Sequence, residues 1–339
     1  MLNIQVFSQD QAMKKYADSV GYIITHTTND TLKMVNLLNL SDYHIQNKRD
    51  TSLLLIEQAI GIANTLKQPL WMANALSLKG FILMSQENYP MAIKAVNEAM
   101  LIVKVEKNEK NAYVPEQSEF PNDPHRFRLY MLMEVLHQLG NINSSVGNKD
   151  EAIDNFKEEI YISDIIKSKY GRITSNMNIG SIFLGKDMLD SALLYSEKAL
   201  ANIEIVGYSP DEGIILRTMG AIYFRQGNLD TAMLYYWKSL SSSRIYNNLS
   251  SECSANISLA QLYEHKSQAD SMMYYAKAAF NDATTLNSPA RRNTSLALIA
   301  AAYKMMGNMD SAYIYMRASK LNGDSLYEAR IKNLTQFQN

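Results

Sequence analysis

Aspartate recurs in steps of forty residues along this chain, at Asp10, Asp50, Asp150, Asp190, Asp230, Asp270 and Asp310. Pro90 takes the place of one rung, and the wider step from Asp50 to Asp150 also contains a twenty-residue insertion. Self-similarity at a fixed period marks one supersecondary unit copied many times, because a single unit cannot bury its apolar face alone. The 339 residues are therefore expected to stack as one array rather than divide into two or three ordinary domains.

Further columns keep the same register. A small residue stands two positions after most rungs, as in Ala12, Ser52, Ala92, Ala152, Ala192, Ala232 and Ala312, with Met272 departing. Seven residues later comes another, Ser19, Ala59, Ala99, Ala199, Ser239, Ala279 and Ser319, with Glu159 as the exception. Ahead of them lies a third, Gly80, Gly140, Gly180, Gly220, Ala260 and Ala300, followed after three residues by Phe183, Tyr223, Tyr263 or Tyr303. Small residues at helical spacing let two helices approach closely, and a neighbouring aromatic fills the space beside them. The Asp ladder reads as helix N-caps, each contributing about 0.5–2 kcal/mol. Pro69, Pro210 and Pro289 suit helix starts, and Gly147, Gly227 and Gly307 suit the turns between helices.

The stretches Met219-Gly220-Ala221-Ile222-Tyr223 and Ile179-Gly180-Ser181-Ile182-Phe183, each with its following Asp-x-Ala segment, resemble the tetratricopeptide repeat (TPR). The resemblance covers nearly the whole chain and implies an all-α, right-handed α-solenoid of stacked helix-turn-helix repeats. About seven forty-residue repeats are expected, with helices longer than in the usual thirty-four-residue unit. Residues 1–30 read as a partial N-terminal repeat or cap, so that the chain begins inside a repeat. Residues 31–322 read as the solenoid, and 323–339 as a C-terminal capping or exit helix started by Asp324. The insertion at 105–123 holds Pro115 and Pro121 among charged and amide residues, which is loop chemistry. It is read as a surface loop, with ligand contact as the alternative.

Composition excludes several functions. A net charge of −1 without a long basic stripe argues against nucleic acid as a partner. Apolar runs stop short of the roughly 18–20 residues of a membrane span. Cys253 is the single cysteine, which excludes an intrachain disulfide or a cysteine zinc cluster. Glu134 and His137 form one Glu-x-x-His where a helical carboxylate metal site needs two. Gly180, Gly185, Lys186 and Asp187 make an incomplete phosphate loop, with Asp187 where a hydroxyl should hold magnesium. Glu158-Glu159 reads as an exposed helix face. The nineteen methionines and twenty-one tyrosines read as core packing. No catalytic constellation emerges, so the chain is read as a non-enzyme without cofactor or metal.

The resemblance implies that first helices line a concave groove that takes peptides. The groove columns are then Asn74, Ser77, Phe81, His137, Gln138, Asn141, Asn178, Ser181, Arg217, Arg225 and Gln261. Asn with Arg in such columns is similar in type to the TPR surfaces that grip peptide carboxylates. The tail from Asp324 to Leu334 resembles the helix by which TPR sensor regions of bacterial membrane-bound histidine kinases and helix-turn-helix regulators leave their last repeat. That implies a protein- or peptide-binding sensor region whose membrane span and output module lie outside this chain, with a periplasmic setting favoured and room for a homodimer. The alternative is a free-standing cytoplasmic TPR adaptor or scaffold.

Overall fold

The computed structural model describes residues 2–45, 48–116, 118–168 and 170–336, with backbone alone described for 2–13, 326 and 329–336. The side chains of Asp10, Ala12, Leu326, Ile331 and Leu334, on which the terminal readings drew, thus lie outside the described set. Among the described residues the chain is all α-helix apart from one 3-10 turn and the connecting segments.

Two compact units divide near Gly171. The first holds α1 (Leu2–His26), α2 (Asp30–His44), α3 (Arg49–Thr65), α4 (Pro69–Ser85), α5 (Tyr89–Val103), α6 (Pro124–Val146) and α7 (Lys149–Ile166). The second holds α8 (Gly171–Gly185), α9 (Leu189–Val206), α10 (Glu212–Arg225), α11 (Leu229–Ile245), α12 (Leu249–His265), α13 (Ala269–Thr285), α14 (Pro289–Met305) and α15 (Met309–Gln336). Helices pair as antiparallel hairpins, among them α4 with α5 and α6 with α7 in the first unit, and α10 with α11 and α12 with α13 in the second. First helices also touch the next first helix, α4 on α6 and α10 on α12, which makes them one layer within each unit.

Backbone geometry reveals a period shorter than the sequence ladder. Outside the insertion, where Asn111 and Asn122 are also left-handed, residues in the left-handed region fall at Lys67, Glu87, Gly147, Lys167, Asp187, Gly207, Gly227, Asn247, Ser267, Asn287 and Gly307, most of them twenty residues apart. Each ends a helix. The next N–H commonly reaches back five residues, as Asn228 N to Tyr223 O and Gln268 N to Tyr263 O, both at 2.9 Å. This closes the helix and satisfies a carbonyl that would otherwise lack a partner. The forty-residue repeat is therefore two similar helix-plus-turn halves whose turns are chemically unequal.

Three helix-end expectations need correction. The Asp rungs do not cap: Asp50, Asp150, Asp190, Asp230, Asp270 and Asp310 are each the second residue of a helix. Caps come from asparagine two positions earlier in several copies, with Asn88, Asn228 and Asn308 accepting from Met91 N, Thr231 N and Ser311 N at 3.0–3.3 Å. The rung carboxylates instead face the positive helix end from inside the first turn. Pro69 and Pro289 do open α4 and α14, but Pro210 sits in the turn before α10. Finally, α15 runs unbroken through Gly323 and Asp324, so no separate helix starts there.

The small-residue columns set the hairpin distance. A Cβ added at Gly140 would stand 2.6 Å from the Phe156 ring, and one at Gly220 2.5 Å from the Tyr236 ring. In the second unit the aromatic column packs on a tyrosine twelve residues later, across each hairpin, stacked in three copies and tilted at Phe183. Ring centroids are 5.5 Å apart for Phe183–Tyr195, 5.3 Å for Tyr223–Tyr235, 5.5 Å for Tyr263–Tyr275 and 5.4 Å for Tyr303–Tyr315. Each such pair adds about 0.5–1.5 kcal/mol beyond its buried area.

Candidate ligand-binding site

The 105–123 insertion is held down by the first unit's helices. Gln68, just before α4, clasps it twice, donating from Nε2 to Asn111 O (3.1 Å) and accepting at Oε1 from Tyr113 N (2.8 Å). The Trp71 indole donates to Tyr113 O at 2.8 Å. Arg128, buried in α6, donates to Val103 O (2.9 Å) and to Glu109 Oε1 (2.6 Å), and His125 meets the same carboxylate at 2.9 Å. Burial alone would raise the Glu109 carboxyl, but the bonds from Arg128 and His125 outweigh it and hold it below its usual value. Phe120 is buried against the core, with the Arg126 guanidinium 4.3 Å above its ring centroid.

So fixed, the insertion forms one wall of a cavity of about 570 Å³. Trp71 and Asn74 on α4, Phe127, Tyr130 and Glu134 on α6, and Asp42 on α2 supply other walls. Tyr130 hydrogen-bonds the Glu134 carboxylate, and the field of that carboxylate, with burial and Glu119, holds the phenol far above its usual range. Burial pushes the Glu134 carboxyl up, partly countered by His137, and burial alone pushes Asp42 up.

The remaining groove residues of the first unit have varied surroundings. Asn74 lines the cavity. Ser77 is buried, and Phe81 packs against the core cluster. His137 meets the Glu159 carboxylate at 3.1 and 3.2 Å and stands edge-on to Phe156. Glu159 is 2% exposed, which corrects the reading of Glu158-Glu159 as an exposed face. Its place in the small-residue column was the sequence signal for burial, since a carboxylate there needs a partner across the hairpin. Gln138 buries its Oε1 without a hydrogen-bond partner among the described residues, and Asn141 is half-buried.

In the second unit Asn178 is half-buried, while Ser181 and Gln261 are exposed. Arg225 is engaged in the α8–α9 turn through Leu184 O (2.5 Å) and Asp187 Oδ1 (3.1 Å). Arg217 differs from it. The guanidinium is half-buried on α10, and no carboxylate pairs with it among the described residues. Desolvation lowers its pKa, the nearby Tyr236 opposes this, and Arg291 lowers it further. Burial pushes the Tyr236 phenol up to about 12 against the pull of Arg217 and Arg225.

Among the described residues, no group of three or more His, Cys, Asp or Glu is placed to hold a metal ion. Nor is any helix among them long and apolar enough to cross a membrane.

No protein-family model and no curated protein sequence matches the chain. Solved structures do. The apo form of RapI aligns with a TM-score of 0.63 at 13% identity, covering 87% of this chain and 99% of that one. Aspartyl phosphate phosphatase F from Bacillus subtilis aligns with a TM-score of 0.59 at 14% identity, over 86% of this chain and 71% of that one. A Rap protein complexed with Competence and Sporulation Factor gives 0.56 at 14% identity, covering 96% of each. At such identities the likeness bears on fold alone. With the repeat columns and paired helices, it establishes that this chain is built as a TPR-type α-solenoid.

Proposed function

We propose that this chain is a peptide- or protein-binding TPR module, and that its second unit takes hold of a carboxylate of the ligand through Arg217. The observation that carries this reading is the half-buried guanidinium with no carboxylate partner among the described residues and a second arginine, Arg291, near enough to repel it. A buried unpaired charge costs free energy that an incoming anion recovers. Arginine adds a planar two-pronged donor suited to carboxylates. Asn178, half-buried on the first helix of the preceding hairpin, stands in the adjacent groove column. That a Rap protein of the same fold has been solved in complex with Competence and Sporulation Factor supports the general use of such a surface.

In the wider reading, the module is the sensor region of a bacterial signalling protein, with a kinase or helix-turn-helix output outside this chain. The tail resemblance over 324–334 supports it, and α15 offers an uninterrupted helical lever from Met309 to Gln336.

The test is a hexapeptide library screened against the full chain with free and amidated C-termini. Binders should require a carboxylate, and Arg217→Met should weaken them at least tenfold with helicity unchanged. Binding that is indifferent to both the carboxylate and Arg217 refutes the reading.

A further inference from the structure

The cavity in the first unit has a chemistry opposite to that of Arg217. Its carboxylates come from three elements, Asp42 on α2, Glu119 on the insertion and Glu134 on α6. No lysine, arginine or histidine is among its lining residues, and none of the three carboxylates is in an ion pair among the described residues. His137, whose field reaches Glu134, is bonded to Glu159. A second observation points the same way. The Ser118 hydroxyl oxygen is buried in the cavity wall and has no hydrogen-bond partner among the described residues. A buried hydroxyl without a partner is an unmade interaction of the kind folded proteins rarely leave, and a ligand N–H donor would complete it.

We propose that this cavity binds a small aliphatic di- or polyamine, its ammonium groups on the carboxylates of Asp42, Glu119 and Glu134 and its methylenes against the aromatic wall of Trp71, Phe127 and Tyr130. Size and geometry both select this class. A volume of about 570 Å³ lies in the usual range for small-molecule sites, roughly 300–1,000 Å³. The carboxylates stand on separate walls and do not converge as metal donors, so one compact ion would leave some of them unanswered. An extended cation with more than one charged end can answer them all. Aromatic faces attract ammonium groups and shed water from the methylenes between them. Burial holds the carboxyls of Asp42 and Glu134 above their usual values, so charge on them carries a cost that a bound cation offsets. The insertion completes the site, because Ser118 and Glu119 both belong to it and lie between the Ser118 N to Pro115 O bond and the buried Phe120 ring.

The experiment is isothermal titration of the full chain with 1,4-diaminobutane and with spermidine, at constant ionic strength, beside 1,4-butanediol and magnesium chloride. Saturable one-to-one binding of the amines is expected, with no binding of the diol and at least tenfold weaker binding of magnesium. Asp42→Asn with Glu134→Gln should weaken the amines at least thirtyfold. Glu119→Gln, a change on the exposed part of the insertion, should weaken them severalfold, which keeps the test decisive if the double variant folds poorly. Absence of saturable heat up to millimolar amine overturns the proposal, as does magnesium binding as tightly or Glu119→Gln having no effect. Tight capture of a lysine-containing peptide without capture of the free amines also overturns it. The proposal concerns the first unit alone and stands or falls independently of the carboxylate reading at Arg217.

Discussion

Gly220→Ala tests the claim that the small-residue column sets the distance between helices. The new Cβ would lie 2.5 and 2.6 Å from Tyr236 Cδ1 and Cε1, and 3.2 Å from Ala232 O. Carbon atoms in ordinary contact stand about 3.5–4.0 Å apart, so the ring must retreat by about 1 Å. Tyr236 is 4% exposed and belongs to the core cluster of the second unit, so its retreat displaces packed neighbours. Overpacking of this kind costs about 1–3 kcal/mol. Against it stands the helix-propensity gain of alanine over glycine, about 0.8–1.0 kcal/mol. The net result is a loss of about 0–2 kcal/mol. Gly323→Ala in α15 is the control in the same unit. A Cβ there meets only Asn293 Nδ2, at 3.6 Å, an ordinary contact, and it keeps the propensity gain. The difference between the two variants therefore isolates the packing cost, about 1–3 kcal/mol. Urea unfolding followed by circular dichroism at fixed temperature reads it as a difference in midpoint. Tyr236→Leu, placed together with Gly220→Ala, should recover part of the loss because the ring that the methyl strikes is gone. Equal midpoints for Gly220→Ala and Gly323→Ala would refute the reasoning.

The remaining predictions follow from the turns, the insertion and the carboxylates. Ser267 carries a φ of 54°, so Ser267→Gly should raise the melting temperature, with a gain of about 1 kcal/mol, whereas Gly227→Ala at φ 77° should lower it by a similar amount. Trp71→Phe keeps a ring but loses the donor to Tyr113 O. Amide exchange near 111–114 should quicken, while global stability falls by about 1 kcal/mol or less. Burial raises the carboxyl pKa of Asp42 and Glu134, so between the ordinary and raised values the folded chain holds more protons than the unfolded one. Their contribution to stability therefore falls as pH rises through that window and stays low above it. Asp42→Asn with Glu134→Gln should accordingly exceed the native chain in urea midpoint near pH ~7, by a margin that closes as the pH drops through the carboxylate range. Glu109 has the opposite sign, since its lowered pKa contributes stability above the ordinary value that is lost in acid.

The array itself was legible because it repeats. Seven aspartates at one spacing identify the period whatever each of them does, which explains how the register was right while the caps were wrong. A capping asparagine and a first-turn aspartate both favour a helix start, and spacing alone does not separate them. The twenty-residue half-period was hidden for a related reason. Left-handed helix ends are occupied by Gly227 and Gly307 in some turns, but by Ser267, Asp187 or Lys167 in others. Backbone conformation repeats there while residue type does not. At the candidate sites, the groove columns located Arg217 and Asn74, but could not show that Arg225 is held by a neighbouring turn or that His137 is held by Glu159. Those facts depend on which side chain lies across a hairpin. The cavity was beyond reach for a stronger reason, since its walls come from α2, α4, α6 and an insertion that follows no period.

That last point bears on where function should be sought in a chain of this kind. A repeat column is occupied by whatever packs well in every copy, so a residue that departs from its column has a local cause. Glu159 departs from the small column, and His137 across the hairpin answers it. Arg217 also departs, since Met177, Ile257 and Ala297 fill the corresponding place in the neighbouring copies, and no carboxylate among the described residues answers it. The insertion is the largest departure of all. Left loose, a segment of that length would forfeit much conformational entropy if it were later ordered on a ligand. Gln68, Trp71 and Arg128 order its first part at Asn111, Tyr113 and Glu109, and the buried Phe120 anchors its end, so a ligand meeting Ser118 and Glu119 bears less of that ordering cost. An indole, an amide and a buried guanidinium are directed at its backbone and at the Glu109 carboxylate, which stabilises the segment and leaves it ordered beside the cavity. Anchoring of 105–123 thus serves stability in any case, and titration with the amines decides whether the wall it presents to the cavity also serves a ligand.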